Sequence, residues 1–240
     1  MSAPDAYREY RPPRALAPLV ACLWENAAVR DRPQSVVPDG CVDLIWLGGL
    51  GLQVAGPDTA ARLAPPAGEP AFGIRLRPGA AGAVLGLPAA EVRDRQPLLA
   101  DLWGADGARL ADALGAVTGH DRLALLTEAV LRRRAEPDRL VVAAAHRLAV
   151  RGARVGDVAR DLGVSERHLH RRTLAAVGYG PKLLARVLRL RALVAAPAVP
   201  LAERAVAAGY ASQAHMTDEV RRLTGTTPVR FLEDARPTAA

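Results

Sequence analysis

The chain has 240 residues, half of them hydrophobic, with 32 basic and 25 acidic side chains and a net charge of +7. That length leaves room for two modest domains, each with its own core. No apolar run reaches membrane-spanning length, and residues 1–14 are charged and broken by prolines rather than built as a leader, so a cytoplasmic chain with no membrane partner is expected. Cys22 and Cys41 are the only cysteines and lack CxxC spacing, which argues against a disulfide framework or a cysteine zinc site and leaves reduced, partly buried thiols as the expectation.

Residues 16–76 read as strands broken by turns. An apolar run over 19–29 contains Trp24; Pro38-Asp39-Gly40 is a turn; residues 41–47 are strongly apolar; Gly48-Gly49 is a second break. Residues 52–55 and 72–76 are further short strands. Arg77-Pro78-Gly79 ends the strand region, and a helix begins over 80–85, followed by helical patterns near 97–103, 108–117 and 122–133. A small antiparallel barrel or curled sheet with helices behind it is expected. Glu136-Pro137-Asp138 is the boundary, because the proline ends one helix and Asp138 can cap the next, over 140–150.

The rest of the chain carries one pattern twice. Ala159-Arg160-Asp161-Leu162-Gly163 leads through Val164 and Ser165 to Gly178 and Pro181. Ala205-Val206-Ala207-Ala208-Gly209 leads through Tyr210 and Ser212 to Gly225 and Pro228. Small Ala159 and Ala205 let two helices approach, and Gly163 and Gly209 permit the left-handed backbone of a tight turn. Ser165 and Ser212 can cap the second helix of each unit; Gly178 and Gly225 stop it; Pro181 and Pro228 suit the first position of the next. Each half therefore reads as a helix-turn-helix. A continuous helix over 182–196, ended by Pro197 and Pro200, joins them. Charge follows the repeat. Residues 1–137 hold 15 basic and 16 acidic side chains, net −1, whereas 138–240 hold 17 and 9, net +8. The excess thus lies where phosphate would be met, although 31 of the 32 basic residues are arginine, which also marks compositional bias. A frayed tail is expected over 237–240.

These residues resemble the AraC-type family of bacterial transcription regulators. The resemblance rests on Val158-Ala159 through Gly163, Ser165-x-Arg167-x-Leu169-x-Arg171, Gly178-x-x-Pro181, Arg191-Ala192, Ala205, Gly209-Tyr210, His215 and Gly225-x-x-Pro228. Two departures stand out: Thr173 and Val220 occupy core positions where the family usually has phenylalanine, and Asp218 sits where it often has an arginine facing DNA. The N-terminal half also resembles a domain found ahead of such DNA-binding domains, through Ala15-Leu16-Ala17-Pro18-Leu19-Val20, Trp24, Val37-Pro38-Asp39-Gly40, Asp43-Leu44-Ile45, Gly56 and Gly73-Ile74-Arg75-Leu76-Arg77-Pro78-Gly79. The resemblance implies a sensing or dimerisation unit over 1–137 and a DNA-binding unit over 138–240.

The fold class expected is α+β: an N-terminal antiparallel barrel or curled sheet plus helices, then an all-α domain with two helix-turn-helix units on a long helix. Leu169 must face inward, which turns Arg167, His170 and Arg171 outward, where the resemblance also implies base contacts. Gln213, His215 and Thr217 are the expected counterparts in the second unit, His215 being equally suited to a hydrogen bond within its own unit. Arg154, Arg172, Arg186, Arg189, Arg221 and Arg222 are candidates for phosphate, and Arg191 is either another or structural. Trp24, Asp43, Trp46 and Arg75 are candidates for a ligand pocket. Strand alternation favours core packing for the tryptophans, and Asp43 in an apolar run either meets a ligand donor, pairs with an arginine such as Arg75, or caps a turn. No catalytic residue, metal or cofactor is expected. Double-stranded DNA is the expected partner, with RNA polymerase, a small-molecule effector and a second copy of the chain as further candidates. The competing reading is a cysteine-based alkyl-transfer or metal-using enzyme domain fused to a DNA-binding domain. It has little to stand on, since Cys41 has no base or second thiol at useful spacing and no histidine falls in the strand region. A third reading makes the N-terminal half an oligomerisation module only.

Overall fold

The computed structural model describes residues 7–27, 34–64 and 69–234. Seven strands come first: β1 (Tyr7–Tyr10), β2 (Val20–Asn26), β3 (Gln34–Val36), β4 (Val42–Trp46), β5 (Leu52–Ala55), β6 (Arg62–Ala64) and β7 (Ala71–Leu76). Five of them form an antiparallel sheet in the order β1-β2-β7-β4-β5, while β3 and β6 pair as a separate ribbon. The sheet is open rather than a closed barrel. Its β5 edge is covered by the chain after it, with Val54 N donating to Pro97 O and Gly56 N to Arg95 O.

Alternation along the strands builds two different faces. Leu44, Trp46, Val54, Phe72 and Ile74 point into the main N-terminal core. It is covered by α1 (Ala81–Leu85), α2 (Leu99–Trp103), α3 (Ala105–Ala116) and α4 (His120–Arg133). Arg122 of α4 lies 5.7 Å over the Trp46 ring and 5.2 Å over Phe72, its stem and charge both used against aromatic faces. Tyr7, Cys22, Trp24, Ile45, Leu47 and Ala71 form a smaller cluster on the opposite face. A register shift between Val20 and Cys22 lets β2 supply Val20 and Leu23 to the first face and Cys22 and Trp24 to the second.

The four strands expected from the apolar runs are present as β2, β4, β5 and β7; the end of the 19–29 run lies outside the described residues, as does 237–240. Strands β1, β3 and β6 were not expected. Tyr7–Tyr10 is short and polar, with one tyrosine on each face, and becomes a strand because β2 supplies a partner along its whole length.

The C-terminal half is helical: α5 (Arg139–Leu148), α6 (Val155–Asp161), α7 (Glu166–Val177), α8 (Pro181–Ala195), α9 (Leu201–Ala207), α10 (Gln213–Thr224) and α11 (Pro228–Asp234). Its core is separate from the sheet's. Asp138 caps α5, accepting from Leu140 N at 3.1 Å and Val141 N at 3.2 Å, and its other oxygen takes Arg172 Nε at 2.7 Å, so one carboxylate ties α5 to α7. Ser165 accepts from His168 N and Ser212 from His215 N, each at the start of its helix. Thr173 and Val220 are fully buried. Gly163 and Gly209, the turn glycines, have φ of +68° and +88°, a conformation that costs any other residue strain.

Glu219 is the least expected member of the fold. It lies on the buried face of α10, only 6% exposed, between Met216, Val220 and Leu223. Both its oxygens accept from Arg189 Nη2 at 3.0 Å; Arg186 Nε stands 3.2 Å away, and His215 Nε2 3.4 Å. The second helix-turn-helix is thereby tied to α8. Removing one partner from a buried ion cluster strands the others, so Glu219→Ala is expected to lower unfolding free energy by about 3 kcal/mol, read from chemical denaturation. The two thiols give a second expectation. Cys22 and Cys41 are both buried, and burial pushes the Cys22 thiol up to about 12 and the Cys41 thiol well above its ordinary value. At pH 8 neither should alkylate in the native chain while both react in denaturant, counted by mass spectrometry.

Candidate nucleic-acid interface and effector cavity

The two second helices of the repeat are α7 and α10. Each begins directly after its serine cap, runs 12 residues and ends at a left-handed glycine, Gly178 or Gly225. On α7, Leu169, Thr173 and Val177 are buried, and Arg167, His170 and Arg171 are exposed on the other side. Arg167 forms no hydrogen bond or ion pair among the described residues. Arg171 Nη2 lies 3.3 Å from the His168 ring nitrogen Nδ1, and the His170 ring packs against the backbone of Gly180. Two guanidinium groups and an imidazole therefore share one solvent-facing stripe.

On α10 the picture differs. Met216, Glu219, Val220, Leu223 and Thr224 are buried. Gln213 is exposed, but the His215 ring lies edge-on to Tyr210, accepts from Ala211 N through Nδ1 at 3.3 Å and faces Glu219 through Nε2. The Thr217 hydroxyl donates to Gln213 O at 2.9 Å. Matching cap to cap and glycine to glycine, the counterparts of Arg167 and Arg171 are Ala214 and Asp218, and His215 is the counterpart of His168. The three residues anticipated from the pattern are thus only partly in register with the first unit.

The arginines divide into two groups. Arg154, Arg221 and Arg222 are exposed, with no ion pair among the described residues. Arg172 is exposed but paired with Asp138, while Arg186 and Arg189 turn inward to Glu219. Each faces a carboxylate of its own chain, a structural use of those charges beside the one expected toward phosphate. Glu219 falls with Met216, Val220 and Leu223 on the inner stripe of α10, a carboxylate that demands cations without saying which. Arg191 Nη1 donates to Asp39 O at 3.3 Å, the structural alternative for that residue.

The second face of the sheet looks across a cavity of about 1600 Å³ toward α5, α8 and α11. Its floor is Tyr7, Trp24, Ile45 and Leu47, with the Tyr7 and Trp24 rings 5.9 Å apart. Gly73 makes that floor possible, because a Cβ there would stand 2.3 Å from the Trp24 indole. Trp24 Nε1 donates to Asp43 Oδ1 at 2.7 Å, and Arg75 Nε donates to Asp43 Oδ2 at 3.2 Å. Burial raises the Asp43 carboxyl above its ordinary range, and the adjacent Arg75 charge opposes that rise. Of the four ligand candidates, Trp24, Asp43 and Arg75 meet at this cavity and Trp46 does not. Trp46 is the neighbour of Ile45, so alternation sends it through the sheet into the core. Among the described residues no cluster of side chains is arranged to hold a metal ion, and no helix is long and apolar enough to cross a membrane.

The two halves are joined by a hydrogen bond to a backbone carbonyl at the end of each unit's second helix. Ala61 N donates to Leu223 O at 2.9 Å, at the end of α10. Arg93 Nη1 donates to Gly178 O at 3.2 Å, at the end of α7.

Comparison with known proteins agrees with this arrangement. A helix-turn-helix domain family matches residues 139–234, and a domain of unknown function (DUF6597) matches residues 8–97. No curated protein matches the chain. Among solved structures, an apo ToxT variant from Vibrio cholerae strain SCE256 is similar at 10% identity and a TM-score of 0.50, covering 89% of this chain and 98% of that one. ToxT from Vibrio cholerae O395 aligns at 9% identity and a TM-score of 0.47, covering 97% and 99%. At such identity the likeness to the first concerns the fold alone, a sheet domain followed by helices in one α+β chain. With two capped helix-turn-helix units on one connecting helix, residues 139–234 form an AraC-type helix-turn-helix domain, the DNA-binding module of transcription regulators, behind a domain of the DUF6597 type.

Proposed function

We propose that this regulator reads DNA through α7 and is controlled by a small molecule held between its sheet and its helical half, with residues 1–137 as the sensing unit and 138–240 as the DNA-binding unit. The observation that carries the first part is the stripe on α7, where Arg167 is exposed and unpaired beside Arg171. A guanidinium offers paired donors matched to guanine O6 and N7 in the major groove, and each such pair discriminates by about 1–3 kcal/mol. His170 lies beside them. Arg154, Arg221 and Arg222 are the free cations for phosphate, which positions the helices without specifying sequence. Helix α8 has 15 residues, roughly 22 Å of axis at 1.5 Å per residue. That length supports two units on one face of a duplex, where major-groove segments repeat at about 34 Å.

The sensing part rests on the cavity. An apolar floor with the Asp43–Arg75 cluster set into it suits a molecule with an apolar body and a polar group. Helices α5 and α8 form part of the opposite wall, so an occupant would touch both halves of the chain. Differential binding to two placements of those halves is all that effector control requires.

Two outcomes are expected. In titrations across a salt series, Arg167→Ala/Arg171→Ala should lose preference for a selected genomic fragment by at least about tenfold, while keeping most of its non-specific, salt-dependent affinity. Equal preference in variant and parent would remove α7 from the reading role. A screen of amphipathic small molecules by thermal melting of the full chain should find a stabilising compound, worth about 2.7 kcal/mol at a hundredfold excess over its Kd. Trp24→Ala, which removes part of the cavity floor, should weaken that stabilisation. A stabilising compound that acts equally on the variant would place the sensing site elsewhere.

A further inference from the structure

We infer that base selection in this regulator is one-sided: the first unit selects sequence, and the second, because it presents Asp218 to the groove, is a weak anchor on the backbone. This rests on the reading of α7 given above. The two helices are superposable by position, since both follow a serine cap, both run 12 residues and both end at a glycine with positive φ. Buried positions agree as well, Leu169 with Met216, Thr173 with Val220 and Val177 with Thr224. In that register the outward stripe changes from Arg167, His170 and Arg171 to Ala214, Thr217 and Asp218. The groove-facing charge reverses sign, from two cations to one anion.

The polar atoms left on the second stripe are few. His215 is held by Ala211 and Glu219, and the Thr217 hydroxyl is bonded to its own helix. Asp218 is exposed and makes no ion pair among the described residues. A carboxylate can accept from a cytosine amino group. Reaching one means carrying the charge between two phosphate strands, and positions 213, 214 and 217 offer no cation to offset the repulsion. The free cations of this helix, Arg221 and Arg222, lie a turn further on, suited to the backbone outside the groove.

The test is selection from a randomised duplex library by the full chain, followed by salt titrations of Asp218→Ala on the selected site and on unrelated DNA. Expected are one conserved segment of bases and an Asp218→Ala variant that binds all sequences about threefold more tightly at low salt. Base preferences should not change. A second conserved segment one helical turn from the first, or a variant that loses affinity or preference, would overturn the inference; so would unchanged affinity. Failure of the α7 assignment would look different: one conserved segment that survives Arg167→Ala/Arg171→Ala. Asp218 is exposed, so the variant should fold as the parent does, which its melting curve checks.

Discussion

The buried carboxylate of Glu219 sets how the second helix-turn-helix sits on the helix that joins the two units. Two arginines from α8 and one histidine from α10 converge on it, adding a directional contact to the apolar stripe of Met216, Val220 and Leu223 that already phases α10. Apolar packing is non-directional, whereas a carboxylate between planar guanidinium groups has few acceptable orientations. The cluster therefore acts as a register for the second unit on the connecting helix. The first unit has a smaller analogue in Asp138, which caps α5 and holds Arg172 of α7. The second helix of each unit is thus keyed to a neighbour by an ion pair at the same place in the repeat, Arg172 in one and Glu219 in the other, with the charges exchanged.

The N-terminal half grips both units, at Gly178 on α7 and at Leu223 on α10. Gly178 has φ of +90°, and a Cβ there would come 2.5 Å from Pro57, so the helix stop also serves as the docking point for the preceding domain. Between these two grips lies the cavity, closed on one side by the sheet and on the other by α5 and α8. Its polar cluster sets Arg75 among three carboxylates, Asp43, Asp39 and Glu9, with Trp24 donating to Asp43. Such a network is costly to leave half satisfied, which makes it a natural place for a ligand's polar group to be recognised.

Much of the C-terminal half was legible in the sequence because each of its signals is local. Serine caps, turn glycines and prolines at the first helical position act within a few residues, and their repetition removes the ambiguity of any one. The sheet was legible where strands are apolar and missed where they are polar, as in Tyr7–Tyr10, whose strand character is supplied by β2. Site residues followed the same division. Arg167, His170 and Arg171 could be placed because buried Leu169 fixes the phase of one helix. The inward turn of Arg186 and Arg189 could not, because it depends on Glu219, thirty or more residues away on another helix. Likewise Trp46 was a reasonable pocket candidate until the sheet's two faces were assigned, which needs to know which face the helices cover.

The central claim is that one protomer lies along one face of the duplex, with its two units at successive major-groove segments and only the first selecting bases. Hydroxyl-radical footprinting of the full chain on a selected fragment tests it most directly, because it reports backbone protection whether or not bases are read. The account predicts two protected segments one helical turn apart for each bound protomer, both on the same face. A single protected segment, or protection arranged as a symmetric palindrome within one protomer's site, would contradict it.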